Sequence, residues 1–537
     1  MKPIDVGKIK VLPFEIERIL EIKIEKEINE HSTLYVYGVV KDDKQITPVT
    51  DTKEGTSIKC ENDGQIYFNG ILQKVKITRI DAVYYLEIHA ISNTILLDIE
   101  KHKRSFQNNE ETYKTIVETI ISKKEGVVKY NAPEKTVENI ILQYDETDWE
   151  FAKRLASHTQ DVLIPIIDDK PVFYFGVPDE GQGILDKNDF SITRDYKIYR
   201  QMATEAEPLT EQEVTIYTVQ TDELIGSIGE KFILNGMDLH IIQITITLVG
   251  AALTVTYTLC EKKGISTPKK YNQAIIGLVL DGTVLKIEND TVRLHLAIDK
   301  EQDREQEIGT AHPFKYATGY SAEGNTGWYV MPEEGDIVQL LFPKEDEKYA
   351  YAASSIRQED TERTVDSLIK YWRTTFGKEI KMDQKEILIT SRDDETFIRI
   401  NEETGIEIRT PQPIQVQSGS TLSITSAGDM SIATERNLQI QAGETIRMTC
   451  GENTMSFIPA SGIAVSTDRN LELSSENDTT IDSKQEVALK SGNDTKLEIG
   501  KSLTGTAGTK IELDSSGSSV VLQNQGVDIK GRKINEN

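Results

Sequence analysis

Seven histidines, three cysteines and several adjacent acids are the residues from which chemistry could be built, and their spacing argues against it. His31, His89, His102, His158, His240, His295 and His312 form no HxH, HxxH or HExxH set, so no local ligand spacing suggests zinc or iron. They read as structural or surface histidines. Cys60, Cys260 and Cys450 stand about two hundred residues apart without a CxxC pair and read as small buried or neutral residues in a reducing compartment. Asp393-Asp394 and Glu333-Glu334 are paired acids of the kind a glycosidase uses. Neighbours on a strand or turn point apart, however, whereas glycoside cleavage needs two carboxyls facing one bond. Gly181-Gln182-Gly183 and Gly324-Asn325-Thr326-Gly327 lack the Lys-Ser/Thr of a phosphate loop and read as turns, and no Gly-x-Ser-x-Gly elbow occurs. No catalytic, metal or cofactor-binding residue is assigned, no cofactor is expected, and the chain is not expected to be an enzyme.

The elements that would have to position any site are therefore more informative. At 537 residues and 60.4 kDa the chain has room for three to four domains of about 150 residues. Apolar residues at 38% and charged residues at 28% suit buried cores and not wholesale disorder. The net charge of −27 repels a phosphate backbone, so nucleic acid is not expected as a partner. Neither a signal peptide nor a membrane span is expected, because no long uninterrupted apolar run occurs.

Leu20, Ile22, Ile24 and Ile28 alternate with Glu21, Lys23, Glu25 and Glu27, the signature of a half-buried strand. Similar runs at 34–40, 66–72, 75–80 and 84–90 make residues 1–105 a small barrel. Residues 106–175 form a helical, α+β insert: Ile116, Val117, Ile120 and Ile121 recur at helical spacing, and Thr147 to Glu150 is a capping box before a second helix. Strands return across 176–270 as a second barrel. Residues 271–358 carry five short strands, 277–287, 292–298, 328–330, 337–342 and 349–353, in the pattern of an OB-type barrel. The charge run Lys300 to Glu307 between them reads as a solvated turn. Residues 359–390 are a linker and the start of the last segment. The aromatics Tyr316, Tyr320 and Trp328 lack a basic stripe, which argues against ligand binding at the barrel.

In residues 391–537 apolar pairs recur with a period of eight: Ile398/Ile400, Ile406/Ile408, Ile414/Val416, Leu422/Ile424, Met430/Ile432, Leu438/Ile440 and Ile446/Met448. The residue inside each pair is polar, so each pair predicts a strand with one face inward. The series resumes at Met455/Phe457 and continues, less regularly, to Val520/Leu522 and Val527/Ile529. One repeat cannot cover its own apolar side chains, so neighbours must supply the core of an elongated β-solenoid. Those neighbours come either from the same chain or from two other chains in a three-sided prism.

Arg104-Ser105-Phe106-Gln107, followed by Gln143-Tyr144-Asp145-Glu146-Thr147-Asp148-Trp149-Glu150-Phe151-Ala152-Lys153-Arg154-Leu155, resembles the hub motifs of the VgrG family of contractile injection spikes. Residues 277–356 resemble that family's OB domain and the octads its triangular needle. The resemblance implies a mainly β, homotrimeric protein: a hub of two β-barrels with inserted helices, an OB-fold barrel and an intertwined β-helix needle whose core is the octad pairs above. It further implies that the spike joins a hexameric inner tube and baseplate to a needle that meets the target membrane transiently, with effector cargo among its possible partners. The chain would be made in the cytoplasm and delivered outward within a contractile particle. Relatives without a metal-bound tip are capped by a small PAAR-like protein, and no histidine follows His312, so Val520, Leu522, Val527 and Ile529 are the expected tip-protein contacts. Some relatives insert a lysozyme before the needle; the 359–390 segment is too short for one. Some carry an effector beyond the needle, and none is expected here because the chain stops soon after Ile529. The rival reading is a trimeric tailspike or adhesin that binds or cleaves surface polysaccharide.

Overall fold

Alternation fixes the strands of the first half. In Thr33–Val40 every second residue is buried, with Leu34, Val36 and Val40 inward and Thr33, Tyr35 and Tyr37 half-buried. The computed structural model describes residues 6–40, 47–187, 189–205, 208–249, 252–322, 326–357 and 365–534; residues 359–364 of the expected linker, together with Gly324 and Asn325, lie outside the described residues. Two compact units result, Met1–Pro411 and Gln412–Asn537. The architecture is mainly β.

In the first unit the strands of both expected hub barrels share one twelve-stranded sheet. Ile16–Glu27 pairs antiparallel with Met237–Val249, Ile24 lying opposite Ile246, and one core runs from Val36 and Phe68 to Phe232 and Tyr257. The reason is edge pairing: each half presents a long strand whose free N–H and C=O groups the other satisfies. The runs at 66–72 and 75–80 are a single strand, Gln65–Ile80, interrupted by a register shift between Leu72 and Lys74. Gly181-Gln182-Gly183, read as a turn, instead leads into the strand Gln182–Leu185, parallel to Lys231–Leu234. A Cβ on Gly183 would sit 2.8 Å from the Phe232 ring, so close packing, not turning, calls for glycine there.

The helix Tyr113–Ser122 is capped by Thr112 and buries Ile116, Val117, Ile120 and Ile121, and Asp148–Ser157 starts at the capping box of Thr147 and Glu150. Both pack into a separate core with Phe106, Trp149, Phe151 and Phe173.

Leu278–Glu288, Thr291–Leu296, Pro313–Ala317, Tyr351–Ser355 and Ile337–Phe342 close a five-stranded barrel. Its third strand is Pro313–Ala317 and not the expected 328–330, where Trp328 and Tyr329 stand exposed. Phe314 fills the barrel core with Tyr316 packed against it, and two inward residues give too short an alternation to read. A further sheet follows, of Lys370–Arg373, Glu379–Met382, Glu386–Arg392, Thr396–Asn401 and Gly405–Arg409.

The second unit holds two three-stranded antiparallel meanders, Ile446–Cys450 with Asn453–Ile458 and Gly462–Ser466, and Lys510–Ser515 with Ser518–Gln523 and Gly526–Lys530. Residues 412–445 and 467–509 contain no strand. The pairs Ile414/Val416 to Leu438/Ile440, expected as strands, thus have no ladder partner among the described residues, and a strand is defined by its partner. Hydroxyls turn the chain between them. Ser418, Ser426, Ser475 and Ser491 donate to the carbonyls of Thr421, Asp429, Asp478 and Asp494, and the N–H of Arg436 and of Gln485 meets Thr434 and Ser483. These positions follow the eight-residue repeat.

Candidate functional site

The hub motif residues converge on a buried ionic clamp between hub and barrel. The strand Lys101–Phe106 pairs with Ile141–Thr147, and the helix that begins at Asp148 returns across them. Arg104 donates to Asp148 at 3.0 Å and to Gln143 at 3.4 Å, and Gln143 in turn donates to Asp148 at 3.0 Å. Burial lowers the Arg104 pKa, against the pull of Asp148. Arg154 makes a fork with Glu146 at 2.8 and 2.9 Å, reaches the Leu142 carbonyl at 2.8 Å and crosses to Glu347 of the barrel at 3.0 Å. Burial opposes its charge, but Glu347 and then Glu146 outweigh that and hold its pKa above the usual value. A planar guanidinium suits such a site because its donors match two carboxylates at once.

Phe106 stacks on Phe151 at 5.6 Å, while Trp149 meets Phe173 edge-on at 5.3 Å, and Leu155 is fully buried beside them. Tyr144 lies under the Lys103 ammonium, and its carbonyl accepts from Asn272 at 2.7 Å. Gln107 donates to the Leu294 carbonyl at 3.2 Å and accepts from the N–H of His312 at 3.2 Å, two further ties to the barrel. All ten motif residues therefore have packing or bonding work in this one region.

Their partners on the barrel side were not foreseen. Asp299 is buried and accepts from both the N–H and the hydroxyl of Ser105. Arg304 bonds Asp299 at 2.7 Å and lies over the Phe106 ring, and Gln302 donates to the Lys103 carbonyl. The run Lys300 to Glu307 is a turn exposed over most of its length, as expected, but its Gln302 and Arg304 also bond the hub, which the spacing did not suggest. Ile140 and Leu142 add side chains to the barrel core while Ile141 faces the hub core, so one strand serves both.

Of the acids weighed for catalysis, Asp393 pairs with Arg373 at 3.2 Å and Glu333 accepts from the N–H of Thr375. Cys60 and Cys260 are buried, and burial pushes both thiols up to about 12; Cys450 is exposed at the end of its strand. His158 accepts from the Tyr113 hydroxyl and donates from Nε2 to the Lys270 carbonyl.

The octad residues make a second candidate surface. Ile398, Ile400, Ile406, Ile408, Ile414, Val416, Leu422, Ile424, Met430, Ile432, Leu438, Ile440 and Met448 are exposed in the single chain, Ile432 by 71%, and Ile446 is half-buried. Where strands do form, apolar residues oppose apolar residues: Ile398 faces Ile408, Met448 faces Met455, and Val520 faces both Leu513 and Ile529. Leu522 likewise opposes Ile511 and Val527. Each meander thus has one apolar face. A groove of about 570 Å³ beside Val520 and Ile529 also takes in Lys530, Lys533 and Ile534.

Residues 394–532 match the family described as an uncharacterised protein conserved in bacteria, DUF2345. No curated relative matches the chain. Among solved structures the chain is similar to the E. coli c3393 protein, a type VI secretion component with similarity to T4 bacteriophage tail proteins gp27 and gp5, at 14% identity and TM-score 0.48 over 65% of this chain and 100% of that one. It is also similar to VgrG in the Francisella PdpA-VgrG complex, at 9% identity and TM-score 0.45 over 75% and 87%. A 43 kDa tail protein of prophage MuSo2 from Shewanella oneidensis matches at 12% identity and TM-score 0.38 over 49% and 98%.

Proposed function

We propose that the chain is the central spike of a contractile injection apparatus and works as a homotrimer, mechanically and without catalysis. The observation that carries this reading is the octad series: evenly spaced apolar side chains, nearly all exposed, of which the pairs from Ile414/Val416 to Leu438/Ile440 have no strand partner among the described residues. Water does not tolerate an apolar surface of that length on a monomer. Three copies turned about a common axis bring equivalent octads together, and each Ile or Leu buried there contributes about 1.5–3 kcal/mol. Strand partners for 412–445 and 467–509 then come from the other copies.

The hub motifs support the same reading. A spike transmits thrust, and the clamp of Arg154, Glu347, Ser105 and Asp299 ties barrel to hub by buried bonds. The hub would meet the inner tube and baseplate, and the end around residues 520–531 would carry a small PAAR-like tip protein or effectors into a membrane. Light scattering on the purified chain tests the proposal: about three chains of 60.4 kDa are expected, and a folded single chain would overturn it. Negative-stain images of the particle, with or without a sheath, would then assign the type of apparatus.

A further inference from the structure

The sheet that follows the barrel places one unbroken apolar row across its five strands. Trp372 lies opposite Ile380, Ile380 opposite Ile389, Ile389 opposite Ile398, and Ile398 opposite Ile408. The neighbouring row on that face, from Lys370 across Met382 to Ile406, contributes Lys370 as its one ionisable residue. Trp372 is 59% exposed and Trp328, from the barrel loop, is 71% exposed. Their rings stack at 6.5 Å with 17° between planes. Trp328 is held in place by its neighbours: Tyr329 donates to the Asn289 carbonyl at 2.6 Å, and Glu333 accepts from Thr375 in the hairpin that carries Trp372.

We propose that this face docks against other copies of the same chain, and that the Trp328–Trp372 stack forms an aromatic collar closing the barrel end of the interface. The inference rests on the homotrimer reading and deepens it. Two observations select a second copy as the occupant. The chain carries a net charge of −27, so copies repel one another over most of their surface, yet neither row on this face bears a carboxylate. The acids of the sheet lie in ion pairs such as Arg373–Glu379 and Arg399–Glu407. The face is also open to water as one contiguous patch, since Ile387, Ile389, Ile400, Ile406 and Ile408 are all exposed, and such a patch marks an interaction surface. Indole pairs, large and rigid, suit the rim of such a contact.

The chain has three tryptophans, and Trp149 is buried in the hub, which makes the collar readable by fluorescence. Acrylamide quenching of the full chain is compared with that of Trp328→Phe and Trp372→Phe, and the difference signals report each indole. Both are expected to be quenched several-fold less than in the unfolded chain. Quenching as free as in the unfolded chain, with the mass still that of three chains, overturns the collar and leaves the trimer standing. A one-chain mass overturns the trimer reading itself. As a second measure, Trp372→Glu should separate the copies at lower denaturant while Trp372→Phe does not; equal behaviour of the two variants counts against the collar.

Discussion

Arg154 shows how much one side chain can hold. Its guanidinium neutralises Glu146 and Glu347, both shielded from water, and caps the Leu142 carbonyl. Arg154→Met removes the cation and strands two carboxylates, which costs about 3–5 kcal/mol. Glu347→Gln keeps a hydrogen-bond acceptor and should cost less. Urea unfolding measures both, and an Arg154→Met loss no larger than that of an exposed lysine would refute the clamp. His158 gives a pH test. Burial first, then the nearby Arg154 and Lys269, pulls its pKa from 6.5 to about 3. Between those values the unfolded chain binds the extra proton, so stability is complete above pH 6.5 and falls as pH drops toward 3, by at most about 1.4 kcal/mol per unit. His158→Gln should flatten that slope by one proton in urea titrations at several pH values; an unchanged slope would place the acid sensitivity elsewhere. At this scale the motif residues were visible in the sequence, and their partners were not. Asp299 and Glu347 lie 194 and 193 residues from Ser105 and Arg154, in segments that locally look like solvated loops.

At the scale of elements, periodicity was legible wherever one face is buried. The helix Tyr113–Ser122, the capping box at Thr147 and the strand Thr33–Val40 all follow from spacing alone. Pro313–Ala317 differs from the expected strand because its two inward residues, Phe314 and Tyr316, are too short a run to show a period. The octads are the opposite case: their period is plain, yet the pairs from Ile414/Val416 to Leu438/Ile440 have no ladder partner among the described residues. Ile432 and Ser431 separate the two faces. Ile432→Asp would put three charges near a common axis in the proposed trimer, with a penalty of several kcal/mol per site, while Ser431→Asp faces water and should be nearly silent. Resistance of the assembled protein to heat and detergent is the measurement, and equal tolerance at the two positions would refute the register.

At the scale of the whole molecule, two barrels were expected in the hub, and their joining into one sheet through Ile16–Glu27 and Met237–Val249 was not. Edge pairing between segments more than two hundred residues apart leaves no local trace. The far end of the chain raises the same question of what covers an edge. In the last meander Leu513, Val520 and Ile529 form one apolar row and Ile511, Leu522 and Val527 another, with Val527 60% and Ile529 52% exposed. In a protein of net charge −27, the groove here is lined by Lys530 and Lys533 against the one acid Asp514. A small partner with an apolar, acid-bearing face would cover both features, and this is where the tip protein is expected to seat. Truncation after Gly526 removes the strand that holds Val527 and Ile529 and leaves a two-stranded hairpin, marginal on its own. Ile529→Glu, which keeps the strand and reverses the chemistry of its face, is therefore the sharper variant. Co-purification with the small proteins encoded beside this chain should be lost in both variants, with the three-chain mass of the proposed trimer retained in Ile529→Glu. Undiminished binding of a tip protein by Ile529→Glu would move the seat away from this meander.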